Sequence, residues 1–299
     1  MPSKAIPDYV LRCLLLTILI STAVSVRGQT STPTPAPSPS PPPKPVSLER
    51  EFFKNILRDQ KAIWTMPLHL RGQDAKWLVP LGAGTTALIA TDRETGDAMA
   101  RHDGGLDASR VVSYAGSIYG TAAIAGSFYL MGRVTKNDRA RETGILGAEA
   151  LIDGVIVESA LKAISQRARP LDGRQRSKFF VGGSSFPSGH STQAWSLATI
   201  IASEYHDHLA VQIAAYGIAG AVSMSRFTGQ RHYLSDILIG SVIGYGIGRY
   251  VYRTHHRPAT NGGGGEEEEE RSRSQRWPAI FPTYNRGAHE YGLALAWSF

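Results

Sequence analysis

The stretch Ile145-Leu-Gly-Ala-Glu-Ala-Leu-Ile-Asp-Gly-Val-Ile-Val-Glu-Ser-Ala-Leu-Lys-Ala-Ile164 decides the fold. Its apolar residues recur with a helical period and do not alternate, so it reads as a helix and not as a strand. It also carries Glu149, Asp153 and Glu158, three acids that would be costly in lipid. Working outward, the same reading predicts helices over Leu48–Ile63, Trp77–Thr91, Val111–Gly132, Ser191–Ser203, Leu209–Ser225 and Ile237–Tyr252. In the first of these, Phe52, Phe53, Ile56 and Leu57 fall on one side. β-Branched alternation is scarce. The expected fold is therefore an all-α helical bundle of about six core helices.

Whether that bundle enters a membrane turns on Val111–Gly132. It is uncharged, is framed by Arg110 and Arg133, and is long enough to span. The other segments are mostly shorter, and the mean hydropathy of −0.16 is low for a multi-span protein. The expectation is a compact exported bundle at a membrane, with embedding or mere association left open.

Composition narrows the partners. At 42% hydrophobic and 19% charged, the 299-residue chain has material for a core and too little charge for a disordered chain. A net charge of +7 suits an anionic small molecule or a membrane surface. No basic run interleaved with aromatics points to nucleic acid. The single cysteine, Cys13, lies in an apolar run, Cys13–Val26, preceded by Lys4 and Arg12. That pattern predicts a signal peptide over residues 1–28, export to the periplasm or envelope, and a mature chain without disulfides.

A proline-rich tether follows over 29–46, then the bundle over 47–256. Residues 257–277 form a low-complexity linker with the Gly262–Gly265 and Glu266–Glu270 runs, followed by Arg271, Arg273 and Arg276. In the tail, 278–299, residues Tyr291, Leu293, Leu295, Trp297 and Phe299 share one face of a strand-like pattern.

Three motifs carry chemistry. The first is Lys162-Ala-Ile-Ser-Gln-Arg-Ala-Arg169-Pro170. Spacing of seven puts Lys162 and Arg169 on one helix face, and Pro170 predicts the helix end at Arg169. The second is Phe186-Pro187-Ser188-Gly189-His190-Ser191, a glycine-bearing turn that opens a helix. Free amides at a helix start, a serine hydroxyl and a glycine amide make an anion cradle. His190 adds a group that exchanges a proton near neutral pH. The third runs from Ser225-Arg226 to His232 and Asp236. The last two are four apart, so a carboxylate is expected to hold one ring nitrogen and leave the other nucleophilic. Arg226 offers a fork that matches phosphate oxygens.

Taken in order, the three motifs resemble the signature of the type 2 phosphatidic acid phosphatase and vanadium haloperoxidase superfamily. That signature is Lys-x6-Arg-Pro, Pro-Ser-Gly-His and Ser-Arg-x5-His-x3-Asp, and every position is matched between Lys162 and Asp236. The resemblance implies that Lys162, Arg169, Ser188, Gly189 and Arg226 bind phosphate. It further implies that His232 attacks phosphorus, Asp236 orients His232, and His190 serves as acid and then base. The implied activity is hydrolysis of a lipid phosphate, isoprenyl diphosphate or soluble phosphomonoester through a phospho-histidine. No metal or other cofactor is implied, and the sequence shows no carboxylate cluster suited to magnesium. Vanadate would enter as an inhibitor, or as the cofactor in the alternative reading, a haloperoxidase. A non-enzymatic envelope scaffold is the other alternative. Histidines 69, 102, 206, 208, 255, 256 and 289 lack a supporting pattern and read as surface or structural.

Overall fold

The computed structural model describes residues 48–101, 106–173, 176–256, 279–285 and 290–296. The expected signal segment, tether and low-complexity linker lie outside the described residues. The chain divides into two compact units, one ending at His256 and the other beginning at Arg257.

The first unit is all-α. Its helices are α1 (Leu48–Thr65), α2 (Ala75–Ala100), α3 (Leu106–Ala115), α4 (Ile118–Thr135), α5 (Asp138–Ser165), α6 (Gly189–Glu204), α7 (Leu209–Thr228) and α8 (Leu234–His255). Two short 3-10 turns, Met66–His69 and Gly72–Asp74, join α1 to α2. The core lies where α5, α6 and α8 meet, with Leu146, Ala150, Val157, Ile200, Ile247 and Val251 buried together. Helix α6 packs its other side on α7 through Ala194, Ala198, Ala202, Ala215, Ala219 and Val222. Close approach of α8 to α6 depends on Gly240, Gly244 and Gly248. A Cβ there would come within 2.5, 2.3 and 2.6 Å of the carbonyls of Ser188, Thr192 and Ser196. That stripe fixes the start of α6 against the start of α8, which is where the second and third motifs sit.

Three expectations change. The uncharged Val111–Gly132 segment is two helices, because Ser117 is extended (φ −68°, ψ 157°) and its side chain accepts from the Gly120 amide. An N-cap of this kind starts a new helix. Among the described residues, no helix is long and apolar enough to cross a membrane. Helix α1 buries Asn55, Ile56 and Asp59, while Phe53 and Leu57 are exposed. Its inner face is polar because Asn55 and Gln60 bond to Glu149 and Asp153 of α5. Helix α5 ends at Ser165, where Gln166 adopts a left-handed conformation (φ 43°), so Arg169 stands on the loop and not on the helix face of Lys162.

The second unit is a hairpin of β1 (Ala279–Asn285) and β2 (Glu290–Ala296), antiparallel with Tyr284 opposite Tyr291 and Ala279 opposite Ala296. The strand pattern of the tail appears as β2. Its partner β1, which holds Pro282, was not anticipated.

Candidate active site

All three motifs converge on one cleft. Its volume is about 600 Å³, and Arg169, His190 and Arg226 line it beside Ser113, Tyr114, Leu171 and Ser225. Lys162 stands in the last turn of α5, and His232 is buried on the turn before α8. The charges of Arg226, His232, Lys162 and Arg169 all act on His190.

The cations are held by different means. Lys162 Nζ lies 3.2 Å from Glu158 Oε2, one turn back on α5. Burial raises the pKa of Glu158, and Lys162 opposes that rise. The amide of Arg169 donates to Asp172 (2.6 Å), and its guanidinium reaches Ser184 Oγ at 3.3 Å. Arg226 donates to Ser113 Oγ. The Nε groups of Arg169 and Arg226 are buried and have no acceptor among the described residues. Burial, then the charges of Arg169 and Arg231, push Arg226 down to about 10. Mutually repelling guanidiniums with unused donors are what an anion would neutralise.

The turn that opens α6 supplies further donors. Ser188 is buried, and its amide donates to the Asp236 carbonyl at 3.0 Å. Its side chain makes no cap bond. The first amides of α6, from Gly189 onward, are therefore left for another acceptor. Gly189 has no room for a side chain, since a Cβ would lie 1.9 Å from Glu158 Oε2.

His232 is oriented by a group the sequence did not reveal. Its Nδ1 lies 2.7 Å from the Ser185 carbonyl oxygen and 3.6 Å from Asp236 Oδ2. The carboxylate contact is too long for a hydrogen bond. A carbonyl only accepts, so Nδ1 carries the proton and Nε2 keeps its lone pair. Burial, with Arg169 and Arg226, lowers the pKa of His232 against the pull of Asp236. Burial likewise, with Arg226, His232, Lys162 and Arg169 adding to it, pushes His190 down to about 3.

Asp236 is the hub of a buried network. Its carboxylate accepts from the Tyr233 amide (3.0 Å), Ser185 Oγ and Arg167 Nη1 (2.6 Å). Burial opposes its charge, yet His232, Arg167 and Ser185 hold its pKa below the usual range. Arg167 is fully buried and also bonds Ser235 Oγ (2.6 Å) and Asp92 Oδ2 (2.8 Å). It lies between the rings of Phe179 and Tyr233, at 4.7 and 4.6 Å. Phe179 belongs to the one apolar stretch in the loop 171–186 and contacts this arginine. Sequence reading missed Arg167, Asp92, Ser185 and Ser235. Only Glu158 had a signal, its spacing of four from Lys162.

Two groups that each join two carboxylates to a histidine form away from the cleft. They are Asp59, Glu149 and His255, and Glu142, Glu204 and His256. Folding joins residues far apart in the chain, which spacing alone hides.

Residues 144–259 match the model of the PAP2 superfamily. This segment is a PAP2 superfamily domain. The matched range holds every motif residue from Lys162 to Asp236. The chain is 33% identical over 73 residues to a lipid A 1-phosphatase of Porphyromonas gingivalis, covering 24% of this chain and 16% of that protein. The chain thus spans well under a fifth of that curated relative. Among solved structures, the chain is similar to Aquifex aeolicus LpxE (TM-score 0.43, 18% identity, 55% of this chain and 93% of that one). It is also similar to a transmembrane PAP2-type phosphatidylglycerolphosphate phosphatase from Bacillus subtilis (TM-score 0.45, 21% identity, 70% and 98%).

Proposed function

We propose that the protein is a phosphatase that removes a phosphate group from a lipid phosphate through a phospho-histidine on His232, at the envelope. The observation that carries this reading is the cleft in which Arg169 and Arg226, each with a buried Nε that lacks an acceptor among the described residues, stand beside His190. Lys162, Ser188 and the Gly189 amide complete the phosphate cradle.

Nε2 of His232 forms the P–N bond as the P–O bond to the alcohol breaks, and His190 gives its proton to the leaving oxygen. Water then attacks phosphorus. His190 takes the proton from that water, the P–N bond breaks, and inorganic phosphate leaves with His232 neutral again. Charge neutralisation and in-line positioning are the main demands of phosphoryl transfer, and these three cations meet them without a metal. His190 must be protonated for the first step. Its low pKa in the cationic cleft rises when a phosphate dianion offsets Arg226, Lys162 and Arg169, so substrate binding itself arms the acid.

A lipid alcohol is favoured by the name of the curated relative, a lipid A 1-phosphatase, and by a cleft larger than a phosphate ion with Leu171 and Tyr114 in its wall. The test measures inorganic phosphate released from a lipid phosphomonoester in detergent micelles, for wild type and Arg169→Ala. Loss of one preorganised donor should lower kcat by ~10²–10³-fold. Bromide oxidation with vanadate and peroxide, without phosphate release, would replace this reading by the haloperoxidase one. Inactivity on all phosphate esters would replace it by the scaffold.

A further inference from the structure

The second cluster of chemically able side chains lies at the far end of the bundle. His255 ends α8, whose first turn holds Asp236, so the two are about 30 Å apart at 1.5 Å per residue. Asp59 of α1, Glu149 and Asp153 of α5, and His255 are all buried there. His255 Nε2 lies 2.9 Å from both carboxylate oxygens of Asp59. Ligand atoms of Asp59, Glu149 and His255 all lie within 4.8 Å of one another. Asn55 donates to Glu149 Oε1 at 3.0 Å, and Gln60 donates to Asp153 Oδ1 at 2.8 Å. Asp153 is fully buried beside Asp59, and its Oδ2 has no hydrogen-bond partner among the described residues.

Negative groups outnumber the imidazole in this set. Three buried carboxylates face one imidazole, with the charge of Arg58 nearby, and burial with Asp59 and Glu149 pushes Asp153 up to about 7. Buried charges persist only when paired, protonated or bound to a metal. Nothing in the phosphatase reading uses these residues.

The geometry points to a divalent metal site formed by Asp59, Glu149 and His255, with Asp153 as a further oxygen donor and Asn55 and Gln60 orienting the carboxylates. Two ligands at ~2.1 Å around a tetrahedral metal lie ~3.4 Å apart, so the 2.9 Å between His255 Nε2 and Asp59, now a hydrogen bond, needs to open by only ~0.5 Å. One imidazole with carboxylates suits Zn²⁺ or Mn²⁺ better than Ca²⁺ or Mg²⁺, which prefer all-oxygen sets. Binding releases the proton on Nε2 and ties α1 to α5 and α8. The site is structural and independent of turnover at the cleft.

The test titrates the chelator-treated full chain with Zn²⁺ and with Mn²⁺ by calorimetry and thermal unfolding. One equivalent should bind and raise Tm. His255→Gln and Asp59→Asn should each weaken binding by at least tenfold, while His256→Gln, in the neighbouring cluster, should not. No stoichiometric binding, or binding lost in His256→Gln and kept in His255→Gln, overturns the proposal. If the cluster variants do not fold, Mn²⁺ broadening of wild-type side-chain NMR signals decides. Broadening of His255 and Asn55 supports the site, and broadening elsewhere or none overturns it.

Discussion

The imidazole of His232 donates to the Ser185 carbonyl at 2.7 Å, whereas Asp236 stands 3.6 Å away. Backbone, and not the carboxylate, therefore fixes the tautomer that leaves Nε2 free. In a serine protease, amidating the carboxylate that sets the tautomer costs about 10⁴-fold in kcat. Here Asp236→Asn should lower kcat by much less than that. Ring ¹⁵N shifts should still report the Nδ1–H form. Conversion to the Nε2–H form would show that Asp236, and not Ser185, sets the tautomer.

Arg167 is predicted to matter for folding more than any other residue behind the cleft. Arg167→Met leaves Asp92 and Asp236 buried without their shared cation, and breaking a buried pair in this way costs about 3–5 kcal/mol. Lysine lacks the fork that reaches Asp92, Ser235 and Asp236 together, so Arg167→Lys should recover only part of the loss. Urea denaturation of the three proteins measures this. Equal stability of wild type and Arg167→Met would show that the network is not a support.

Gly189→Ala should displace Glu158, whose Oε2 lies 1.9 Å from where the new Cβ would be. Because Glu158 holds Lys162, the displacement reaches the phosphate cradle. The variant should lose activity, and Glu158→Ala in the same chain should restore part of it. Contacting residues couple by about 0.5–3 kcal/mol. A double-mutant cycle on kcat/KM with no coupling would contradict this arrangement.

The fold class was legible because the helical period dominates from Ile145 to Ile164 and recurs in every other segment. Lys162, Arg169, Ser188, Gly189, His190, Arg226, His232 and Asp236 could be named from the sequence because three short motifs carry them, and of these Arg169, His190 and Arg226 line the cleft. The supporting network was not. Asp92 reaches Arg167 across 75 residues, and Ser185 acts on His232 through its backbone carbonyl, which any residue type possesses. The break at Ser117 was hidden by apolar residues on both sides, and the polar inner face of α1 was hidden because its partners are on α5.

Two histidines should titrate in opposite directions. His190 is held near 3 by burial and neighbouring cations. Its neutral form is kept in the folded state, so its contribution to stability is present above pH 6.5 and is lost as pH falls from there toward 3. His256 is raised to about 9, since Glu142 and Glu204 outweigh its burial. Its contribution is present below pH 6.5 and is lost as pH rises through 9. His256→Gln should therefore destabilise at pH 6 and have little effect at pH 10. Phosphate binding near pH 6 should take up a proton in wild type and not in His190→Gln, as calorimetry in buffers of different ionisation heat would show. Equal proton uptake by both would remove His190 as the acid.

The most direct measurement of the central claim is acid-free trapping of the phospho-enzyme from a ³²P-labelled activated ester, followed by peptide mapping. The predicted result is a base-stable, acid-labile label on His232. His190→Ala should still acquire this label, because an activated leaving group needs no proton, and His232→Ala should not. Label on any other residue, or turnover by His232→Ala at the wild-type rate, would contradict the account.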